Sequence, residues 1–336
     1  MAIRLPAGTP TGVGSLPHRN APAAAAFVLR QTPALPAVPS LPRRSPAEGM
    51  IAQAVIGIQG VAPGQYGSVS VDPARIDPEA PVKTDFEHDA FAGFRAFIAA
   101  AIAQDYVGPI KWQFVGPVTL GMTLLRAGIH VDVAFEVALQ AVRSHTAAMF
   151  ECLTIALPAS DHVVMLDEPS LNEAQLNEFP IAPDTTIDLV SSALAGLEKV
   201  ATVGVHCCGE TDWAHVLSAG PAIISLPVRA DLTKQASYIA RFLEAGGTIM
   251  WGAVVTDGVL SYSAERPWRE LNDAWAVLTD LGCDPLQLRQ QSMISPVCGL
   301  GLHSDGVAEH VFDLVSDVSE RVQRQVNSPT FRRSRF

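Results

Sequence analysis

The side chains with the most chemical potential lie in two short runs, Val203-Gly-Val-His206-Cys207-Cys208-Gly209 and Ser295-Pro-Val-Cys298-Gly-Leu-Gly. In extended chain, residues two apart point to the same side, so His206 and Cys208 can converge on one ion while Cys207 faces the other way and packs. Cys298 offers a third soft donor about 90 residues further on. Imidazole and thiolate suit zinc. Three protein ligands with one open position are the catalytic arrangement, whereas structural zinc sites draw closely spaced ligands from short knuckles. A thiol entering the open position would lose its proton; unassisted, with a pKa of about 8.5, it stays largely protonated at neutral pH. The competing reading is plain burial, since cysteine is among the residue types most often found in cores.

Two further groups could carry function. Val163-Val-Met-Leu-Asp167-Glu168-Pro169-Ser170 ends an apolar run in adjacent carboxylates, which could bind an ammonium, move protons or cap a following helix. Gly12-Val-Gly14-Ser15-Leu-Pro-His18-Arg19 allows close backbone approach, and its amides could hold a carboxylate. It lacks the full glycine pattern of a dinucleotide fold. Phe114-Val-Gly116-Pro117-Val-Thr119 reads as a tight turn, either scaffold or pocket wall.

These residues need elements to position them. Apolar runs at Thr11–Ser15, Ala37–Leu41, Ile110–Val115, His162–Leu166, Ala201–His206, Ala222–Pro227, Thr248–Val254 and Gln291–Val297 read as strands buried on both faces. Helical periodicity fills the connections: Phe135, Ala138, Leu139 and Val142; Leu271, Trp275, Leu278 and Leu281; Val307, Val311, Leu314, Val318 and Val322. Eight strands alternating with helices predict an α/β fold, a (β/α)8 TIM barrel, with an open doubly wound sheet as the other possibility. Gly64–Lys83 reads as an inserted hairpin or lid after the second strand. Residues 1–325 are expected to form a single catalytic barrel and 326–336 a basic tail carrying Arg332, Arg333 and Arg335. In a barrel the strand ends carry function, and the reactive residues cluster there.

Bulk properties narrow the class. The 336 residues are 48% hydrophobic and 17% charged, with a net charge of −11, which argues against nucleic acid as a partner. The five cysteines are an odd number, favouring free thiols or metal ligands over a disulfide framework. The most apolar stretch, Ala90 to Ile110, is broken by Arg95, Gln104 and Asp105, so a buried or amphipathic helix is expected instead of a membrane span. The opening Met1-Ala-Ile-Arg-Leu-Pro has no apolar run of signal-peptide length, and a soluble, cytoplasmic protein is the expectation.

Taken in order, GSLP, GPVT, DEPSL, HCC and VCGL resemble the catalytic half of cobalamin-independent methionine synthase, over about residues 10 to 325. That superfamily also includes uroporphyrinogen decarboxylase and enzymes of zinc-dependent alkyl transfer to thiols such as coenzyme M. The resemblance implies a (β/α)8 barrel whose zinc binds homocysteine thiolate and directs it at a methyl donor. By position it makes His206, Cys208 and Cys298 zinc ligands, Asp167, with Glu168 beside it, the site for the substrate ammonium, and Val13, Gly14 and Ser15 the turn around its carboxylate.

The chain also departs from that pattern. Where the family has a glutamate ligand, it reads Ile224-Ser225-Leu226-Pro227, leaving water, substrate, Glu210 or Asp231 as the fourth ligand. The family's proton-carrying histidine aligns near Thr256-Asp257, and Asp257 is the expected substitute. Gly299-Leu-Gly-Leu-His303 lacks the basic residues common after the last cysteine, and no folate-stacking aromatic is evident. The expectation is therefore a zinc-dependent methyl- or alkyltransferase acting on a thiol, homocysteine foremost, with a folate or corrinoid-protein donor left open. Two rivals stand beside it. A metal-free decarboxylase would need cationic side chains in the cavity, where the strand ends offer only Arg19 and Arg229; the other is a non-catalytic barrel that binds zinc or a thiol.

Overall fold

The computed structural model describes residues 3–64, 68–174, 176 and 178–328. Most of the predicted apolar runs form strands, and the exceptions have stereochemical causes. In chain order the elements are β1 (Thr9–Pro10), α1 (Ala21–Gln31), α2 (Met50–Ala54), β2 (Val61–Pro63), β3 (Val69–Val71), α3 (Ala92–Ala103), β4 (Ile110–Val115), α4 (Pro117–Arg126), α5 (Val131–Ala156), β5 (His162–Asp167), α6 (Pro183–Ala195), β6 (Thr202–His206), α7 (Trp213–Ser218), β7 (Ile223–Pro227), α8 (Ala236–Glu244), β8 (Thr248–Val254), α9 (Glu265–Asp280), α10 (Pro285–Gln290), β9 (Ser292–Pro296) and α11 (Asp305–Asn327). Seven strands form one curled parallel sheet in the order β1-β9-β8-β7-β6-β5-β4.

The first two expected strands are shorter than predicted. Regular pairing of β1 ends at Pro10, before the Gly12–Gly14 turn, and Ser15 returns to the sheet only through an isolated bridge to Ser40. The predicted strand Ala37–Leu41 is likewise reduced to isolated bridges, because Pro36, Pro39 and Pro42 have no N–H to give to a ladder. The amides present are nonetheless used on both sides. Val38 donates to Lys111 and Lys111 to Pro36 at 2.8 and 3.0 Å, while Leu16 donates to Ser40 and Ser40 to Gly14 at 2.9 and 3.3 Å. The segment therefore stands between β4 and the chain that follows β1.

Side-chain alternation produces two cores. Val164, Leu166, Ile224, Leu226, Trp251 and Ile294 pack outward against the helices. Their neighbours Val163, Met165, Ile223, Met250 and Met293 form a separate buried cluster with Leu35 on the concave face, against which Ile3 and Leu5 pack. Two cores from one set of strands follow from the period of two in a sheet covered on both faces. The helical faces read from the sequence lie in α5, α9 and α11, where Phe135, Val142, Leu271, Trp275, Val311 and Val318 are buried. Leu281 falls just past α9 and is exposed.

The inserted segment forms an antiparallel hairpin, β2 with β3, beginning three residues earlier than expected; residues 65–67 lie outside those described. The Ala90–Ile110 stretch divides into α3 and the start of β4, and no helix among the described residues is long and apolar enough to cross a membrane. The predicted basic tail lies outside the described residues from position 329 onward, and residues 326–327 complete α11.

Candidate functional site

Strand register aligns the polar ends of three neighbouring strands. Asp167 of β5 is paired with His206 of β6, and His206 with Ser225 of β7. His206 and Ser225 are buried, and the His206 Nδ1 lies 2.8 Å from the Ser225 Oγ. That contact fixes the ring and leaves Nε2 as the nitrogen open to a metal, a common outer-shell arrangement for a ligating histidine. Ser225 thus supports His206 from β7.

The cysteines come from strands that are not neighbours. With three inter-strand steps between β6 and β9, a flat sheet would hold their ends roughly 14 Å apart at about 4.8 Å per step. The Cys298 thiol nevertheless comes within electrostatic reach of both Cys208 and His206. Sheet curl and the two loops after the strands close that distance. The neighbouring Cys208 thiol pushes Cys298 above its ordinary range, opposed by His206, while Cys298 in turn holds Cys208 below its range. Cys207 is fully buried, its pKa pushed up to about 11 by desolvation, as expected for a packing residue. Cys152 and Cys283, the remaining cysteines, lie outside the cluster, Cys283 buried.

One imidazole and two half-exposed thiols near one another at strand ends are chemically suited to zinc. Among the described residues, however, no group of three or more His, Cys, Asp or Glu side chains is already spaced to hold a metal ion. The expected fourth ligands are elsewhere engaged or exposed: Asp231 accepts from the Thr233 amide and hydroxyl, and Glu210 is on the surface.

The two adjacent carboxylates separate in role. Asp167 belongs to the cluster: burial raises its pKa, His206 and Lys111 oppose that shift, and its Oδ1 is buried without a hydrogen-bond partner among the described residues. Glu168 points to α4, where its oxygens accept from the Val118 and Thr119 amides at 2.8 and 2.7 Å. Those are free N–H groups at a helix N-terminus, so Glu168 caps the GPVT turn and is fully buried there. Any Cβ at Gly116 would stand 2.1 Å from its Oε1, which explains that glycine.

The turn after β1 also meets the cluster. The Val13, Gly14 and Ser15 amides have no hydrogen-bond partner among the described residues, whereas the Val13, Gly14 and Ser15 carbonyls accept from Lys111, Ser40 and Leu300. Gly12–Ser15 and Cys298 line one small cavity. A Cβ at Gly299 would lie 2.0 Å from the Ser15 Oγ, so any larger residue there would force the serine hydroxyl to move. Asp257 is exposed on the loop after β8 and is not among the side chains that meet. Arg229, the cation looked for in a decarboxylase site, is paired with Glu270 at 2.8 Å on the surface.

Sequence reasoning missed Lys111. Its Nζ donates to the Val13 carbonyl at 2.7 Å and to Gln113 Oε1 at 3.2 Å, and it is 1% exposed. The signal was a lysine inside the run Ile-Lys-Trp-Gln-Phe-Val, where a parallel strand buried on both faces should be apolar.

No protein-family model matches the sequence, and no curated protein matches it. Among solved structures, the chain is similar to a B12-independent methionine synthase from Shewanella sp. W3-18-1 in complex with selenomethionine, at 17% identity and TM-score 0.61, covering 95% of this chain and 99% of that one. It is also similar to a putative vitamin-B12 independent methionine synthase from Listeria monocytogenes, at 15% identity and TM-score 0.58, covering 92% and 87%. At these identities the likeness is one of fold.

Proposed function

We propose that the chain is a zinc-dependent transferase that moves a methyl or alkyl group onto a thiol, with homocysteine as the favoured acceptor. The observation that carries this reading is the meeting of His206, Cys208 and Cys298, from strands that a flat sheet would separate, beside the unpartnered carboxylate of Asp167. The fold-level likeness to two methionine synthases of this type supports it. In this reading residues 1–325 form one (β/α)8 barrel, closed by the Pro36–Ser40 segment acting as the eighth strand between β4 and the turn after β1.

His206, Cys208 and Cys298 would hold the ion, each cysteine giving up its thiol proton to bind. Zinc would supply the Lewis acidity that keeps a substrate thiol deprotonated at neutral pH. The remaining work falls to the chain itself. Ser225 keeps His206 oriented. Asp167 receives the substrate ammonium on its free Oδ1, and the open amides of Val13, Gly14 and Ser15 receive the carboxylate. Glu168 holds α4 in place as the pocket wall. Asp257, on the exposed loop after β8, is the group assigned to proton transfer at the entrance, where a folate or corrinoid-bound donor would approach.

Isothermal titration of the zinc-supplied protein with homocysteine tests this reading. Saturable binding that is lost in Asp167→Ala and in Cys208→Ser is expected. Binding unchanged in both variants, or no binding by the parent protein, would refute it.

A further inference from the structure

Lys111 lies on the concave face of β4 and is almost wholly buried, a place where an ammonium is disfavoured unless a counter-charge is supplied. Its two hydrogen-bond acceptors, the Val13 carbonyl and the Gln113 amide oxygen, are neutral. The one carboxylate in its electrostatic field is Asp167, whose Oδ1 remains unpartnered. A buried cation on one strand and a buried, unpartnered carboxylate oxygen on its neighbour form a dipole that matches a zwitterion.

The link from Lys111 to a ligand runs through one peptide group. In a trans peptide the C=O and N–H point in opposite directions. The bond from Lys111 Nζ to the Val13 oxygen therefore draws electron density away from the Gly14 N–H on the far side of the same unit. Hydrogen bonds in series strengthen one another in this way, most when one member is charged. The Gly14 amide is one of three consecutive open amides in this turn. Gln113, two residues along the same face of β4, completes the support: its Nε2 donates to Val38 at 3.0 Å, and its amide lies where any Cβ on Gly14 would be.

We infer that Lys111 is the positioning and specificity-determining residue that makes this pocket select thiols bearing a carboxylate. It acts from behind the Val13–Gly14 peptide, without touching the ligand. The inference rests on the thiol-site reading above and adds to it the source of discrimination between a zwitterionic thiol and a simple one.

The test is calorimetric binding of three thiols to the full chain supplied with zinc: homocysteine, its deaminated analogue γ-mercaptobutyrate and its decarboxylated analogue aminopropanethiol. Lys111→Met is expected to weaken the two carboxylate-bearing thiols by about tenfold or more. Aminopropanethiol should hold its affinity or gain, because Asp167 then has no competing cation. A purely structural lysine would weaken all three alike, and that result overturns the inference. Asp167→Asn supplies a second arm that keeps Lys111 and so does not depend on the methionine variant folding. It should strengthen γ-mercaptobutyrate and weaken aminopropanethiol, and an equal change in both overturns the inference as well. Failure of the parent protein to bind any of the three would instead overturn the thiol-site reading, and this inference with it.

Discussion

Replacing Glu168 with glutamine separates the charge of this buried group from its hydrogen bonding. In the folded protein Glu168 is fully buried and desolvation pushes its pKa up from 4.5 to about 7, against the pull of the Thr119 side chain and the Val118 and Thr119 amides. A folded-state pKa above the unfolded value gives stability that is fully present below pH 4.5 and is lost as pH rises through 7. With these two values the loss between pH 5 and pH 8 is about 2.5 kcal/mol, at 1.36 kcal/mol per unit of differential protonation. Glutamine removes that slope. It also keeps one acceptor and turns an NH2 toward the other amide, leaving a buried donor unpaired at about 1–3 kcal/mol. The variant should therefore be about 2 kcal/mol less stable than the parent at pH 5, and level with it or more stable at pH 8. Urea unfolding of both proteins at pH 5, 6.5 and 8 reads the difference directly, since other titrating groups cancel in the comparison. A difference that stays constant across the three pH values would refute the assignment of a strained, ionisable Glu168.

Two other variants bear on the site. Ser225→Ala removes the hydroxyl that orients His206 and should weaken zinc binding by about 10- to 100-fold in a chelator competition, with little change in the urea midpoint; unchanged affinity would show that the ring is held by packing alone. Gly299→Ala places a methyl group 2.0 Å from the Ser15 Oγ and should lower both stability and homocysteine affinity, while adding Ser15→Ala should recover most of the loss. Additive losses in that double variant would show that the two residues are not in contact.

Most of the architecture was legible because apolar runs and their periodicity are local signals. Ile110–Val115 and Thr248–Val254 appear with the predicted bounds, and the other long strands differ by a residue or two. The exceptions trace to stereochemistry that periodicity does not carry. The prolines at 36, 39 and 42 leave too few N–H groups for a ladder, and the Gly12–Gly14 turn ends β1 early. The histidine and cysteines could be picked out by residue type, but their meeting depends on sheet curl and on contacts about 90 residues apart in sequence, which spacing alone does not determine. The DEP motif concealed a division of labour. Adjacent residues in a strand face opposite ways, so Asp167 turns to the cluster and Glu168 to α4. Lys111 carries no strand-end signal, because it sits one residue from the start of its strand and reaches the Val13 carbonyl across the sheet interior.

The central claim is that His206, Cys208 and Cys298 form a thiol-activating zinc site, and metal content tests it most directly. The account predicts close to one zinc per chain by elemental analysis of protein purified without chelators, falling well below half an equivalent in Cys208→Ser and in Cys298→Ser. Less than half an equivalent in the parent protein after incubation with zinc, or full retention in both variants, would contradict it.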